Sequence, residues 1–287
     1  MSEQEDNDLN LTIKQVIDKY DLLGNKSRAK AFGQHFLCDL SLLRKIALCA
    51  APYDDCDIIE IGPGPCGLTR AILELSKENN KVYCIEKDKN LENVHKNIVR
   101  NYNNLVFIYA DALLINIHEL TKKDIIIISN LPYNVSTQLL VNWLLNIKNM
   151  KKMILTFQKE VAQRICAPIN TKLYGRLSII SQLLCHTEKL FDISNKAFYP
   201  PPKVLSSVVK LTPLNVNITN INELEKLIAI CFQQRRKTIF SILKSKYENI
   251  EEILRKCNID KLSRPENISP GAFLELAIHL GSRGARV

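Results

Sequence analysis

Four short stretches of this 287-residue chain carry side chains able to hold a small polar ligand and act on it. Gly62, Gly64 and Gly67 fall in the spacing G-x-G-x-x-G, directly after an apolar run. Glycine there lets backbone approach a ligand closely or take positive φ. Glu60 stands just ahead of that loop, and Pro63 and Pro65 lie inside it. A charged Glu60 repels a diphosphate and the prolines stiffen the turn, so the loop suits a cationic ligand better than a dinucleotide. Glu86 ends a second apolar run, roughly 20 residues past the glycines, where a carboxylate takes both hydroxyls of a ribose. Asp111 follows a third run; it either accepts from the exocyclic amine of an adenine ring or caps the next helix. Asn130, Leu131, Pro132 and Tyr133 follow a fourth. An amide, a proline and an aromatic together at such a place form the most specific pattern in the chain.

These groups work together only if the chain brings their runs side by side. Residues 56–61, 81–86, 105–110, 124–129 and 151–157 are short, continuously apolar and rich in β-branched residues, which predicts buried strands. Helical spacing occupies 39–50, 67–77, 89–102 and 137–149, the last capped by Ser136 or Thr137. Alternation of this kind predicts a doubly wound α/β domain with a parallel sheet covered on both faces. Ligands of such sheets bind at the carboxyl ends of the strands, which is where all four stretches fall. Beyond a polar linker at 213–222 the pattern turns helical, over 221–232, 236–247, 248–257 and 271–280, and a domain boundary is expected at 213. Residues 1–26 are polar with one weakly amphipathic patch at 11–20 and are expected to form an extension. No internal repeat is visible.

Composition narrows the function classes. With 46% hydrophobic residues the chain buries a sizeable core. It carries 39 Lys and Arg against 30 Asp and Glu, a net charge of +9, which favours a polyanionic partner. The 9 cysteines include no C-x-x-C pair and mostly fall inside apolar runs, so they read as small buried hydrophobes in a reducing compartment, with no metal site. The acidic start has neither the apolar core of a secretory signal nor the Arg-rich amphipathy of a mitochondrial one. No run approaches the 18 or so apolar residues of a membrane span. A cytoplasmic protein is expected.

Taken together, Glu-x-Gly-x-Gly after the first strand, an acid after the second and third, and Asn-Leu-Pro-Tyr after the fourth resemble the S-adenosylmethionine-dependent N6-adenine methyltransferases. More narrowly, the chain resembles the ribosomal RNA adenine N6,N6-dimethyltransferases of the KsgA type. Further matching stretches lie at residues 30–37, 157–161, 174–178, 198–209, 234–238 and 264–269, so the likeness covers about residues 28–280. It implies a Rossmann-like methyltransferase domain over 27–212 and a smaller all-α C-terminal domain over 213–287 that contacts RNA. It implies S-adenosylmethionine as methyl donor, held by His35, Leu37, Gly62, Gly64, Glu86, Asp111 and Asn130, and no metal. It implies catalysis by Asn130, Leu131, Pro132 and Tyr133, with Phe198 closing the other side of the target base. Where the family usually has Asn, this chain has His35, which either keeps one bond to the ligand or packs as a satisfied histidine. His95, His118, His186 and His279 show no partner pattern and read as surface or filler.

The substrate implied is a pair of adjacent adenosines in a hairpin loop near the 3′ end of 16S rRNA, dimethylated by a monomer acting on a 30S-type particle during small-subunit biogenesis. Arg235, Arg236 and Lys237, expected to open a helix, read either as phosphate contacts or as a solvated face. Three other functions compete. A DNA N6-adenine methyltransferase shares the strand-end logic but usually has a second proline where Leu131 stands. A non-catalytic RNA-binding assembly factor would not need Asn130, Glu86 and Asp111 intact. A nicotinamide dehydrogenase rests on the glycine loop alone.

Overall fold

A computed structural model describes residues 10–24, 35–214, 216 and 221–281. A seven-stranded sheet forms its centre, built from β2 (Asp57–Ile61), β3 (Val82–Glu86), β4 (Leu105–Tyr109), β5 (Ile125–Asn130), β6 (Met150–Gln158), β7 (Cys185–Ile193) and β9 (Ser206–Pro213). The spatial order is β4-β3-β2-β5-β6-β9-β7. The first five of these are mutually parallel, and β9 runs antiparallel to β6. The expected α/β class is therefore present, with an antiparallel edge that the apolar runs did not announce. Ile58, Ile59 and the four isoleucines of β5 have no exposed surface, as a sheet covered on both faces requires. The chain steps outward from β2 through β3 to β4, then returns to the other side of β2 with β5. That reversal opens a crevice between the ends of β2 and β5.

The helices that matter to the crevice are α1 (Ile13–Lys19), α2 (Leu40–Ala50), α3 (Gly67–Leu75), α4 (Glu92–Val99) and α5 (Ser136–Leu145). Helix α1 corrects the expectation of a polar extension. Thr12 and Gln15 form a capping box at its start, and Ile13, Val16 and Ile17 are buried in the main core. A weak amphipathic patch is enough here because Ile13 packs on Gly67, where any side chain would meet it at 3.0 Å. Helix α5 starts without a side-chain cap; Ser136 instead donates to the Tyr133 carbonyl. A small antiparallel pair, β1 (Phe36–Leu37) with β8 (Phe198–Tyr199), sets Leu37 opposite Phe198.

The chain divides into two compact units, Met1–Ala162 with Glu188–Thr212, and Gln163–Thr187 with Pro213–Val287. The expected boundary at 213 thus marks one of several crossings. Helix α7 (Arg176–Leu184) joins the second unit because its apolar residues pack on α8 (Ile221–Gln233) and α11 (Pro270–Gly281). Helix α6 (Lys159–Ile165) precedes α7, and α9 (Ile239–Leu243) and α10 (Ile250–Lys256) lie between α8 and α11. Arg235, Arg236 and Lys237 do not open a helix. They form the turn after α8, and Thr238 then caps α9 through a bond from Ser241 N–H.

Candidate active site

The carboxyl ends of β2, β3, β4 and β5 converge on one cavity of about 360 Å³. Its wall includes His35, Gly62, Gly64, Glu86, Asp111, Asn130, Leu131, Pro132 and Tyr133. Nine residues singled out from sequence are thus gathered in one place. Two are not. Leu37 and Phe198 are 4% and 3% exposed and pack into the core rather than the wall. Alternate residues of a strand face opposite ways, so in the short β1 it is Phe36, next to Leu37, that reaches the cavity. Lys30, Ala31, Phe32, Gly33 and Gln34 of the matching stretch at 30–37 lie outside the described residues.

The glycine loop is built for close approach. Gly62 and Gly64 have φ of +66° and +54°, and a side chain on Gly64 would stand 3.0 Å from the Phe36 ring. Gly64 is held on both sides of its Cα. Its N–H donates to Glu86 Oε2 at 3.3 Å, and its carbonyl contacts His95 Nε2 at 2.9 Å. A carbonyl only accepts, so Nε2 carries the proton. The bare Nδ1 then accepts from the Tyr109 hydroxyl at 2.9 Å. His95 is 1% exposed and stacks on Phe107 at 4.1 Å. Burial pushes its pKa down to about 4, so it is neutral at pH 7. Reading His95 as surface or filler was therefore wrong. The missed signal is the apolar stripe of Leu91, at the cap of α4, and Val94, His95 and Ile98 on it, which puts the histidine on the buried face.

The acids differ in state. Glu86 accepts from Gly64 N–H and, at 2.9 Å, from Asp88 N–H; burial raises its pKa against the pull of those bonds. A carboxylate offers about four lone-pair sites, so these bonds leave it able to accept from a ligand hydroxyl. Asp111 is more open. Lys87 at 2.8 Å and the Leu113 N–H at 3.0 Å hold its pKa low, so it is an anion. Glu60 is not on the wall. It is 2% exposed, accepts from Thr69 at 2.6 Å, and burial pushes its pKa up to about 8. The repulsion of a diphosphate argued from its charge does not operate at neutral pH, where the carboxyl is mostly protonated. Glu60 is a buried post under the loop.

At the end of β5 the arrangement fits a base with an amine. Ser129 donates to the Ile61 carbonyl at 2.7 Å, pinning the end of β5 to the end of β2. Next to it, the Asn130 Oδ1 is buried and has no hydrogen-bond partner among the described residues. An orphaned buried acceptor is costly unless a ligand N–H satisfies it. Tyr133 is fixed by a 2.5 Å bond between its hydroxyl and Ser206 Oγ on β9. His35 stacks against the Tyr133 ring, centroids 6.0 Å apart, and its Nδ1–H donates to the Pro200 carbonyl at 2.7 Å. The residues present therefore suit an adenosyl ligand: a glycine cradle, a ribose acid, and acceptors for amines. No cluster of His, Cys, Asp and Glu fit to hold a metal occurs among the described residues.

Arg235 donates to Glu266 at 2.5 Å and to the Thr171 carbonyl at 3.0 Å, so it is committed inside the second unit, whereas Arg236 and Lys237 are exposed.

Known proteins fit this geometry. Residues 25–281 match the family described as ribosomal RNA adenine dimethylase. A ribosomal RNA small subunit methyltransferase A of Paramagnetospirillum magneticum is 39% identical over 274 residues, covering 94% of this chain and 95% of the relative. One from a Wolbachia of Drosophila simulans is 39% identical over 251 residues, covering 86% of this chain and 92% of its own length. Among solved structures, a dimethyladenosine transferase from Plasmodium falciparum superposes with a TM-score of 0.75 at 29% identity, covering 88% of this chain and 99% of the other. The 23S rRNA methyltransferase ErmE, 22% identical with a TM-score of 0.65, covers 86% of this chain and 99% of its own and shares the fold. From its strand-end site and its match over nearly the whole chain, this protein belongs to the ribosomal RNA adenine dimethylase family, enzymes that use S-adenosylmethionine.

Proposed function

We propose that the protein dimethylates N6 of two adjacent adenosines in a hairpin loop near the 3′ end of 16S rRNA. We further propose that it acts as a monomer on a 30S-type particle in the cytoplasm. The observation that carries the catalytic part is the buried, unpartnered Asn130 Oδ1 beside Leu131, Pro132 and Tyr133, in the same cavity as Glu86.

Adenine N6 is a poor nucleophile because its lone pair is delocalised into the ring. Asn130 Oδ1 accepts one amine hydrogen and the Leu131 carbonyl accepts the other, which draws the nitrogen toward tetrahedral geometry. Pro132 fixes the turn that aims this carbonyl. Tyr133, held by Ser206, offers its ring to the flipped-out base. S-adenosylmethionine, when bound, supplies an electrophilic methyl group. Gly62, Gly64 and Glu86 hold its sugar end, Asp111 its adenine amine, and His35 keeps the acceptor Nε2 toward the cavity because Nδ1 is engaged. Leu37 and Phe198 support from the core, as the paired strands behind Phe36. No strong base is needed, since methylated N6 loses its proton readily to water; position and polarisation provide the rate. Arg236 and Lys237 contact RNA phosphate.

The test uses small subunits from cells lacking the modification, incubated with the protein and labelled S-adenosylmethionine. Digestion to nucleosides and mass analysis then identify the product. Labelled N6,N6-dimethyladenosine supports the reading. Binding of the subunit without methyl transfer contradicts it and leaves an assembly factor.

A further inference from the structure

We propose that His95 is a positioning residue for the methyl donor: through Gly64 it sets the rotamer of Glu86, and so the affinity for the ribose. This rests on the reading of the cavity as an adenosyl site.

A continuous chain of bonds supports it. The Tyr109 hydroxyl donates to His95 Nδ1, His95 Nε2–H donates to the Gly64 carbonyl, and Gly64 N–H donates to Glu86 Oε2. The links come from β4, α4, the loop after β2, and β3, so four separate elements are joined at one residue, through the two peptide groups that flank the Gly64 Cα. Gly64 needs such a brace. With φ of +54° and no side chain, Gly64 is free to turn about both φ and ψ. His95 fixes the peptide after the Gly64 Cα, which limits the turn about that Cα that would withdraw the N–H of the preceding peptide from Glu86 Oε2. Phe107, stacked on the imidazole, keeps water away. An aliphatic residue at position 95 would fill the space but leave the Gly64 carbonyl with only the weak donor of the Cys66 thiol, 3.7 Å away. His95 itself is absent from the cavity wall, so it acts only through Gly64.

The experiment measures S-adenosylhomocysteine affinity by calorimetry on the full chain, with steady-state kinetics alongside. His95→Gln retains a donor at the Nε2 position; His95→Leu does not. Loss of one buried hydrogen bond predicts about tenfold weaker binding and a matching rise in KM for S-adenosylmethionine in His95→Leu. At saturating donor, kcat and the KM for RNA stay within about twofold, and His95→Gln returns to within about threefold of wild type. Nitrogen chemical shifts of His95 report the neutral Nε2–H tautomer in the wild type. Should His95→Leu fail to fold, Tyr109→Phe removes only the hydroxyl and is expected to weaken binding about threefold. Unchanged affinity in His95→Leu, or in Tyr109→Phe if it stands alone, overturns the brace. So does a fall in kcat with affinity intact, or a Nδ1–H tautomer. Folded wild type that binds no S-adenosylhomocysteine removes the adenosyl-site reading itself, a result distinct from a variant that binds like wild type.

Discussion

Ser129 Oγ lies 2.7 Å from the Ile61 carbonyl, and this bond carries the tie between β5 and β2 beyond their last paired residues, Ile127 and Ile59, to the points where Asn130 and the glycine loop begin. Both groups are buried, with Ser129 showing no exposed surface. The sheet pairing sets the spacing of the two strands, and this bond holds their ends, where the two halves of the site begin. Ser129→Ala leaves the Ile61 carbonyl unsatisfied and is expected to lower stability by about 1–3 kcal/mol. It is also expected to lower kcat by roughly tenfold or more through misplacement of Asn130. Denaturant unfolding and turnover at saturating substrates check both. Loss of stability with unaltered kcat would separate this bond from catalysis.

The Tyr133 to Ser206 bond makes a second coupled pair. Ser206→Ala and Tyr133→Phe each remove it, so their effects on kcat should not add. A double-mutant cycle is expected to give a coupling of about 1 kcal/mol. Additive effects would mean the bond does not orient the ring.

Glu60 predicts a pH dependence of stability. Its folded pKa is raised from 4.5 to about 8 by burial, so between those values the folded state holds a proton that the unfolded chain has released. Stability from this group is complete below pH 4.5 and falls as pH rises toward 8, by up to about 1.4 kcal/mol per pH unit. Glu60→Gln keeps an acceptor for Thr69 and removes the titration. Its stability relative to wild type should therefore increase between pH 5 and 8. His95 acts with the opposite sign. Its pKa is depressed from 6.5 to about 4, so its contribution is present above 6.5 and lost as pH falls toward 4. Chemical denaturation across pH 4 to 9 resolves the two; a difference curve for Glu60→Gln that is flat would contradict the first.

Arg235 and its two neighbours should separate in their effects. Arg235→Ala breaks a partly buried bond to Glu266 and is expected to destabilise the second unit by about 1–3 kcal/mol. Arg236→Ala and Lys237→Ala are expected to leave stability unchanged. Each should reduce the salt dependence of RNA binding by about one unit in the slope of log K against log salt. Equal salt slopes in all three variants and wild type would remove this turn from the RNA interface.

The sheet and the strand-end groups were legible because a doubly covered parallel strand must be apolar along its whole length, and the break in that run marks its carboxyl end. Gly62, Glu86, Asp111 and Asn130 were found by that rule. Leu37 and Phe198 lie off the cavity wall because which face a two-residue strand shows to a cavity depends on its partner strand, and β1 and β8 meet only in three dimensions. Helix α1 was missed since its short apolar face gains its stability from Gly67 and the core rather than from its own pattern. The commitment of Arg235 to Glu266, 31 positions away, leaves no local trace. The role of His95 was partly visible, in its place on the buried stripe of α4, but its partner Gly64 was not.

The central claim is that Asn130 Oδ1 polarises the reacting amine. Single-turnover methyl transfer by Asn130→Ala, measured beside its affinity for S-adenosylhomocysteine and RNA, tests it most directly. A loss of rate exceeding the loss of binding by about 100-fold is predicted, the usual effect of removing one preorganised polar contact at a reacting centre. A rate that falls only as far as binding does would contradict it and reduce Asn130 to a binding residue.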